Sequence, residues 1–194
     1  MKQYFQENFN LPDNEVQISL EKFGHNFTFF TKRGLFSYNK VDAKSLVLVE
    51  NMPAIEGRLL DLGCGFGAVG IMLAKMYNVN LTGCDINRIA LCMAKKNAAV
   101  NGVGARFFHS DCFDGIRGCF ESIVLNPPIH AGKEVVYKMY EQAKEHLAPG
   151  GCFYIVIQKK HGAKSSLQKL KEIYEVCVTL YKKKGTYVIM ASKA

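Results

Sequence analysis

The sequence predicts an α/β fold in which a mostly parallel sheet of seven strands, one of them antiparallel, is covered by helices on both faces. Between residues 58 and 174, short apolar runs typical of buried strands alternate with segments whose apolar residues recur at helical spacing. Two further strand-like segments near the C-terminus, joined by four residues, predict a terminal hairpin and the one antiparallel strand. A hairpin pattern that precedes the alternation predicts an N-terminal β-hairpin extension.

The predicted extension begins with residues 1–13, which look like a loose leader. Apolar and polar residues then alternate over 16–20 and over 27–31. Residues 24–26, Gly-His-Asn, are typical turn residues and lie between the two alternating runs. This pattern predicts a hairpin that caps the main sheet.

The predicted core starts with a helix over 41–51. Asn87 is a candidate N-cap, and the pair at 101–102, Asn-Gly, is a candidate helix stop. The Pro-Gly-Gly at 149–151 should end the fourth helix, and 110–119 should be loop or a short turn. Strands are predicted at 58–62, 79–84, 104–109, 120–125, 152–158, 176–181 and 186–191, and the remaining helices at 67–77, 87–101, 134–147 and 162–174.

Length and composition predict one domain, since 194 residues with 48% hydrophobic content can build a single core. We divide residues 1–194 into the extension, 1–40, and the core, 41–194. No apolar run approaches the roughly 20 residues of a membrane span, and the first residues lack the apolar stretch of a signal peptide. Seven cysteines without a CxxC pair argue against a disulfide framework and against a zinc site. These observations predict a cytoplasmic protein that neither contacts a membrane nor holds a metal.

Glycines at every second position follow the strand predicted at 58–62, namely Gly63, Gly65 and Gly67. Glycine permits close approach of a ligand to the backbone, and a strand, a glycine loop and a helix start form the nucleotide site of doubly wound sheets. Asp85 closes the next strand, where a carboxylate can accept both hydroxyls of a ribose.

Asp61 distinguishes between two kinds of ligand for this loop. The glycine spacing also fits a dinucleotide fingerprint, in which the residue two positions before the first glycine is usually aliphatic. A carboxylate at that position would repel a pyrophosphate but would attract an ammonium group. S-adenosylmethionine carries an amino-acid end and no phosphate, so Asp61 favours it as the cofactor.

Asn126, Pro127 and Pro128 follow the apolar run at 120–125. The two prolines fix two φ angles and remove two backbone donors, and each holds the residue before it extended. The carbonyl groups of Asn126 and Pro127 are therefore presented rigidly beside an amide side chain. Such a turn is a preorganised set of acceptors for an amino group.

Together these motifs resemble the class I S-adenosylmethionine-dependent methyltransferases. More narrowly, the chain resembles the small-domain group that contains the small-subunit ribosomal RNA guanine-N2 methyltransferases. The resemblance extends from about residue 16 to the C-terminus. It is carried by Gly34-Leu35-Phe36-Ser37, residues 41–45, Asp61-Leu62-Gly63-Cys64-Gly65-Phe66-Gly67, Asp85, Ser110-Asp111-Cys112, and Asn126-Pro127-Pro128-Ile129-His130-Ala131-Gly132-Lys133.

The resemblance implies a Rossmann-like methyltransferase sheet that binds S-adenosyl-L-methionine. Asp85 should hold the ribose hydroxyls, and Asp61 the amino-acid end. The implied cofactor residues are Phe36, Asp61, Gly63, Gly65, Gly67, Asp85, Ile86, Asp111, Cys112 and Asn126.

Asn126, Pro127 and Pro128 are the candidate catalytic residues, and the Asn126 side-chain oxygen and the Pro127 carbonyl would accept the two N–H groups of the methylated amine. Ile129 and His130 would contact the substrate, although many amino-methylating relatives carry an aromatic residue where this chain has Ile129.

Positive charge is concentrated near the C-terminus. Of the net charge of +8, residues 159–194 contribute a surplus of seven, from nine lysines and two glutamates. Lys159 and Lys160 follow a strand whose carboxyl end should lie at the site, and Lys164 comes soon after. A basic patch of this density predicts a polyanion partner, and a solvated surface is the alternative.

Three functions fit the sequence. The first is methyl transfer to an exocyclic amine of RNA, guanine N2 in ribosomal RNA or a ribosomal particle being the leading substrate. The second is methylation of adenine in nucleic acid or of protein glutamine, and the third is a non-catalytic, cofactor-binding module associated with RNA. The lysines favour nucleic acid, and the sequence leaves the oligomeric state open.

Overall fold

A computed structural model describes residues 15–193, so the leader predicted at 1–13 lies outside the described residues. The strands are β1 Glu15–Lys22, β2 His25–Lys32, β3 Arg58–Leu62, β4 Asn80–Asp85, β5 Ala105–His109, β6 Phe120–Leu125, β7 Leu147–Gln158, β8 Val176–Lys183 and β9 Thr186–Ser192. The α-helices are α1 Ala43–Asn51, α2 Ala68–Tyr77, α3 Arg88–Val100, α4 Lys133–Glu145 and α5 Ala163–Ile173, with short 3-10 helices at Ile129–Ala131 and Lys159–His161.

The main sheet has seven strands in the order β5-β4-β3-β6-β7-β9-β8. The pairs from β5 across to β7 are all parallel. Strand β9 runs antiparallel to both of its neighbours, β7 and β8. The predicted topology, a mostly parallel sheet with one antiparallel strand, is confirmed.

Helices cover both faces of this sheet. Leu59 and Val124 belong to a core shared with α1, α2 and α3, whereas their neighbours Leu60 and Ile123 belong to a core shared with α4 and α5. Alternate residues of one strand point to opposite faces, so a strand that is buried on both faces is apolar at most of its positions. Within residues 15–193 no helix is both long enough and apolar enough to span a bilayer.

Strand β7 begins earlier than predicted. Helix α4 ends at Glu145, and residues 149–151, predicted to end that helix, lie within β7. The pairing of β6 with β7 shifts register between Phe120 and Ser122, which allows a proline to lie in the strand. A Cβ at Gly151 would lie 2.9 Å from the carbonyl oxygen of Phe120, so the close approach of the two strands requires glycine.

Both hairpins turn through two residues in the left-handed region. In the N-terminal hairpin these are Phe23 and Gly24, with φ of 55° and 72°. Two consecutive residues with positive φ match the twist of a two-residue hairpin, so Phe23 and Gly24 complete the turn by themselves. His25 and Asn26, predicted to be turn residues, therefore pair in β2. At the C-terminus, Lys184 and Gly185 form the corresponding turn, with φ of 47° and 74°.

The N-terminal hairpin is a separate two-stranded sheet that packs against α3 rather than joining the main sheet. Asn97 Oδ1 accepts a bond from the Phe30 N–H at 2.6 Å, and Asn97 Nδ2 donates to the Phe30 carbonyl at 2.9 Å. Asn101 makes the same pair of bonds to Thr28. Asn97 Nδ2 also donates to the carbonyl of Phe66, which connects the hairpin to the loop after β3.

We expect Asn97→Ala to lower the free energy of unfolding by about 3 kcal/mol, because it leaves the part-buried backbone groups of Phe30 and the buried Phe66 carbonyl without this partner. Asn97 is fully buried. Urea denaturation followed by circular dichroism measures the change. Gln168→Ala, on the exposed side of α5, is the matched control and should change stability by less than about 0.5 kcal/mol. Equal stability of the two variants would show that the hairpin does not depend on this contact.

Candidate active site

A cleft of about 400 Å³ opens at the carboxyl ends of β3, β4, β5 and β6, where doubly wound sheets bind their ligands. The segment before α1, the first turns of α4 and His161 after β7 complete its wall. Most residues predicted from the sequence to form the site line this cleft. They are Phe36, Asp61, Gly63, Gly65, Asp85, Ile86, Asp111, Cys112, Asn126, Pro127, Pro128, Ile129 and His130.

The glycine loop between β3 and α2 uses the left-handed conformation three times. Gly63, Gly65 and Gly67 have φ of 65°, 56° and 86°. Gly63 and Gly65 line the cleft, but Gly67, predicted to contact the cofactor, does not. Gly67 is instead the N-cap of α2, where a Cβ would lie 2.9 Å from Ile71 Cδ1 of the same helix and 3.2 Å from Ala94 Cβ of α3. Gly67 is therefore explained by helix packing.

The Asp85 carboxylate, at the end of β4, orders the loops on both sides of it. Its Oδ2 accepts a bond from the Gly65 N–H at 2.8 Å, and its Oδ1 accepts one from the Asn87 N–H at 2.8 Å. The Asn87 side chain caps α3, as predicted, by accepting from Ile89 and Ala90. Asp85 is buried and lines the cleft, so its charge is held at one position beside the glycine loop.

Asp61 is the second buried carboxylate of the cleft. Its Oδ2 accepts a bond from the Gly70 N–H at 2.8 Å. Burial raises the pKa of Asp61 to about 7, the negative charge of Asp85 adds to the rise, and the bond from Gly70 opposes it. A cationic ligand would stabilise the ionised form, so this end of the cleft suits an ammonium or sulfonium group.

The cysteines near the cleft are not nucleophiles. Burial raises the pKa of Cys64 well above its ordinary value, and the charges of Asp61 and Asp85 raise it further. Burial also raises the pKa of Cys84 to about 12 and that of Cys112 to about 11. Because the thiolate is the reactive form, these side chains act as small core residues.

Asn126 lies directly after β6 with its amide held from one side. Its Nδ2 donates to Asp42 Oδ2 at 3.0 Å and to Ser45 Oγ at 3.1 Å. An ionised carboxylate only accepts hydrogen bonds, so Asp42 fixes which end of the amide faces it. The opposite atom, Asn126 Oδ1, is buried and has no hydrogen-bond partner among the residues that the structure describes.

The two prolines and the residues after them form a tight turn. The Pro127 carbonyl accepts a bond from the Ile129 N–H at 2.9 Å, and the Pro128 carbonyl accepts one from the Ala131 N–H at 2.8 Å. Each carbonyl keeps a second lone pair. Ile129 is half-buried against the core of α4 and α5, whereas His130 is exposed at the rim of the cleft.

The remaining predicted cofactor residues form two walls of the cleft. Phe36 is 51% exposed and lies under the ammonium group of Lys44, 5.6 Å from the ring centre. Asp111 and Cys112 follow β5 in a loop that is held by Ser110, whose hydroxyl donates to the Cys112 carbonyl at 2.9 Å. Ile86 is half-buried beside Asp85.

The basic residues predicted to bind substrate lie outside the cleft. Lys159, Lys160 and Lys164 are exposed and do not line it. Strand β7 is followed by a 3-10 helix, in which Lys159 and Lys160 point outward and the next residue, His161, reaches the cleft wall.

Several cleft residues were not among the predicted site residues, and the charged or polar ones include Asp42, Lys44, Ser45 and His161. Asp42 caps α1 by accepting from the Ser45 N–H at 3.2 Å. A polar residue immediately before a helix is a recognisable N-cap signal, so Asp42 could have been placed at a helix end. Nothing in the local sequence indicates that this cap also reaches Asn126.

Comparison with protein families identifies the "Methyltransferase small domain" model, which matches residues 26–191. Protein YbxB of Bacillus subtilis (strain 168) is 37% identical over 196 residues, covering 98% of both chains. Ribosomal RNA small subunit methyltransferase C of Vibrio vulnificus (strain CMCP6) is 32% identical over 193 residues, covering 95% of this chain and 55% of the relative.

A solved structure with a similar fold is that of the T. thermophilus 16S rRNA N2-guanosine methyltransferase RsmC in complex with AdoMet and guanosine. Its TM-score is 0.86 at 28% identity, and the match covers 94% of this chain and 52% of that one. This chain thus spans about half the length of the ribosomal RNA methyltransferases that it matches. Because the family model and YbxB both match most of the sequence, the chain belongs to the methyltransferase small domain family.

Proposed function

We propose that this protein transfers a methyl group from S-adenosyl-L-methionine to an exocyclic amine of RNA, most specifically N2 of guanine in small-subunit ribosomal RNA. The support is the family, the similarity to the T. thermophilus enzyme in complex with AdoMet and guanosine, and the similarity to ribosomal RNA small subunit methyltransferase C. Its partner would be ribosomal RNA or a ribosomal particle, and its place of action the cytoplasm.

The acceptors that line the cleft match the polar groups of the cofactor. Asp61 would hold the ammonium group of the amino-acid end, and Asp85 the ribose hydroxyls. Gly63 and Gly65, which have no side chains, would allow close approach of the backbone. Phe36, Ile86, Asp111 and Cys112 would surround the remainder of the ligand. When bound, the cofactor supplies an electrophilic methyl group.

The single observation that carries the proposal is the oriented amide of Asn126. Asp42 and Ser45 hold its nitrogen, and its buried oxygen has no partner elsewhere in residues 15–193. A buried acceptor without a partner costs about 1–3 kcal/mol, and an N–H group of an incoming amine would recover that cost. The second lone pair of the Pro127 carbonyl could accept the other N–H group.

These acceptors address the chemical difficulty of methylating a base amine. The lone pair of such a nitrogen is delocalised into the ring, so the nitrogen is a poor nucleophile. Two acceptors that hold its N–H groups draw the nitrogen toward a tetrahedral geometry and direct the lone pair away from them. The same oxygens stabilise the positive charge that develops on nitrogen, and they are already oriented before the reaction.

The other two functions remain distinguishable by experiment. Adenine and glutamine also carry an NH₂ group, so Asn126 alone does not select among these substrates. The net charge of +8 favours nucleic acid over a protein substrate. The oriented amide of Asn126 argues against a module that only binds, because cofactor binding does not require an acceptor held in this way.

The central experiment incubates the protein with labelled S-adenosylmethionine and either ribosomal RNA or ribosomal particles, and identifies the methylated nucleoside or amino acid by mass spectrometry. We expect N2-methylguanosine. Asn126→Ala should lower the rate of transfer by roughly 10²–10³, the scale for loss of one preorganised charge-stabilising group, while cofactor affinity changes far less. Label in N6-methyladenosine or in protein would select the second function. A parental transfer rate for Asn126→Ala would exclude this role for the turn.

A second prediction concerns the pH dependence of cofactor binding. Below pH 7 Asp61 is largely protonated and neutral, and an ammonium group pairs only with the ionised form. Affinity for S-adenosylhomocysteine, which carries the same amino-acid end, should therefore rise as the pH is raised toward about 7 and then level off. Asp61→Asn keeps an acceptor for the Gly70 N–H and should give weaker binding that does not vary with pH. A flat profile for the parental protein in calorimetry would contradict this assignment.

A third prediction tests how the Asn126 amide is oriented. Asn126→Asp would place two carboxylates about 3.0 Å apart and should be at least as inactive as Asn126→Ala. Asp42→Asn should lower the transfer rate by roughly 10- to 100-fold, because the amide loses its fixed orientation. The double variant Asp42→Asn/Asn126→Asp reverses donor and acceptor and should recover at least about tenfold over Asn126→Asp alone.

Single-turnover rates at saturating cofactor measure this recovery, and S-adenosylhomocysteine affinity controls for folding of the cleft. If the double variant is no faster than Asn126→Asp, Asp42 has only its helix-capping role.

A further inference from the structure

The ionisable groups of the cleft are ordered along the edge of the sheet. Asp111 follows β5, Asp85 ends β4 and Asp61 lies in β3, so three adjacent strands contribute carboxylates. Asn126 follows β6, the next strand in the sheet, and His161 lies beyond β7, the strand after that. The Asn126 amide therefore lies between the half of the cleft that contains these carboxylates and a half that contains basic side chains.

That second half contains the basic groups that line the cleft, Lys44, His130 and His161. The pKa of His161 is lowered by burial and further by the positive charges of Lys160, Lys44 and His130. Asp42 is the acidic group on this side. Its Oδ2 forms an ion pair with Lys44 Nζ at 4.0 Å, a distance that leaves no direct hydrogen bond between the two groups.

His161 has a polar atom without a partner at this place. Its Nδ1 is buried and makes no hydrogen bond to any residue of the described chain, although the ring lines the cleft. Lys44 is held along the cleft wall by its contact with the Phe36 ring. An anion with several acceptor oxygens would stabilise the protonated form of His161, which its positive neighbours disfavour, and would accept a hydrogen bond from its Nδ1–H.

We propose that Lys44, His130 and His161 form a binding site for a phosphate group of the target nucleotide. The inference rests on the proposed function and deepens it. A nucleotide would lie across the cleft with its amine at Asn126, on the side of the carboxylates, and its phosphate at the basic half, beyond β6. A protein glutamine carries no such anion, so this site selects nucleotides over protein amides.

This site differs from the lysine-rich C-terminal surface. Lys159, Lys160 and Lys164 are exposed and lie outside the cleft, so they are suited to diffuse attraction of an RNA backbone. Lys44 and His161 are partly buried and line the cleft, so they are suited to one phosphate at a fixed distance from the methylated amine.

Calorimetry on the full chain saturated with S-adenosylhomocysteine tests the proposal with three ligands: guanosine, guanosine 5′-monophosphate and guanosine 3′-monophosphate. One of the monophosphates should bind at least about tenfold more tightly than guanosine, as expected for charge-assisted hydrogen bonds. Lys44→Gln and His161→Ala should each reduce this preference to less than about threefold and leave the affinity for guanosine nearly unchanged. Which monophosphate is preferred identifies the phosphate that the site holds.

Lys95→Gln is the matched control, because Lys95 is exposed on α3 and does not line the cleft, and it should keep the full preference. Equal affinities of the parental protein for all three ligands, or no binding of any of them, would overturn the phosphate site. So would a preference that both variants retain, since the phosphate would then be held elsewhere. The site would fail in these cases while methylation of ribosomal RNA could still be observed, so the two proposals are tested separately.

Discussion

The hydrogen bond from Asn126 Nδ2 to Asp42 Oδ2 is the contact on which the arrangement of the cleft depends. It joins the N-cap of α1 to the end of β6 across 84 residues of sequence. The segment before α1 is thereby held against the edge of the sheet at which the cleft opens. Because a carboxylate accepts and does not donate, the bond also decides which atom of the amide faces the cleft. One interaction thus sets both the shape of the wall and the polarity of the proposed acceptor.

The opposite half of the cleft is held by backbone donors. Asp85 receives the N–H groups of Gly65 and Asn87, and Asp61 receives that of Gly70. These bonds fix the carboxylates before any ligand arrives, but they do not fully offset the burial of Asp61, whose pKa rises to about 7. Such a site is less favourable alone than with a cation, which is the condition for selective binding of a positively charged cofactor.

Because of the strand order, carboxylates lie at one end of the cleft and basic side chains lie at the other. Carboxylates lie at β5, β4 and β3, the amide at β6 and a histidine beyond β7. A cationic cofactor and an anionic substrate would therefore occupy different ends, with the reacting amine between them. The connection of the glycine loop to the N-terminal hairpin through Asn97 extends this framework beyond the sheet, because the hairpin and the loop share one buried side chain.

The sequence by itself determined the strands β3 and β6, the mostly parallel sheet with one antiparallel strand, and the positions of Asp61, Asp85 and Asn126 at strand ends. Those features depend on local periodicity and on turn residues, which act over a few neighbouring positions. Only the tertiary structure decided that Asp42 orients Asn126, that Gly67 serves helix packing, and that His161 reaches the cleft while the lysines beside it do not. These outcomes join residues far apart in sequence, so they depend on strand order and helix packing, which no local pattern encodes.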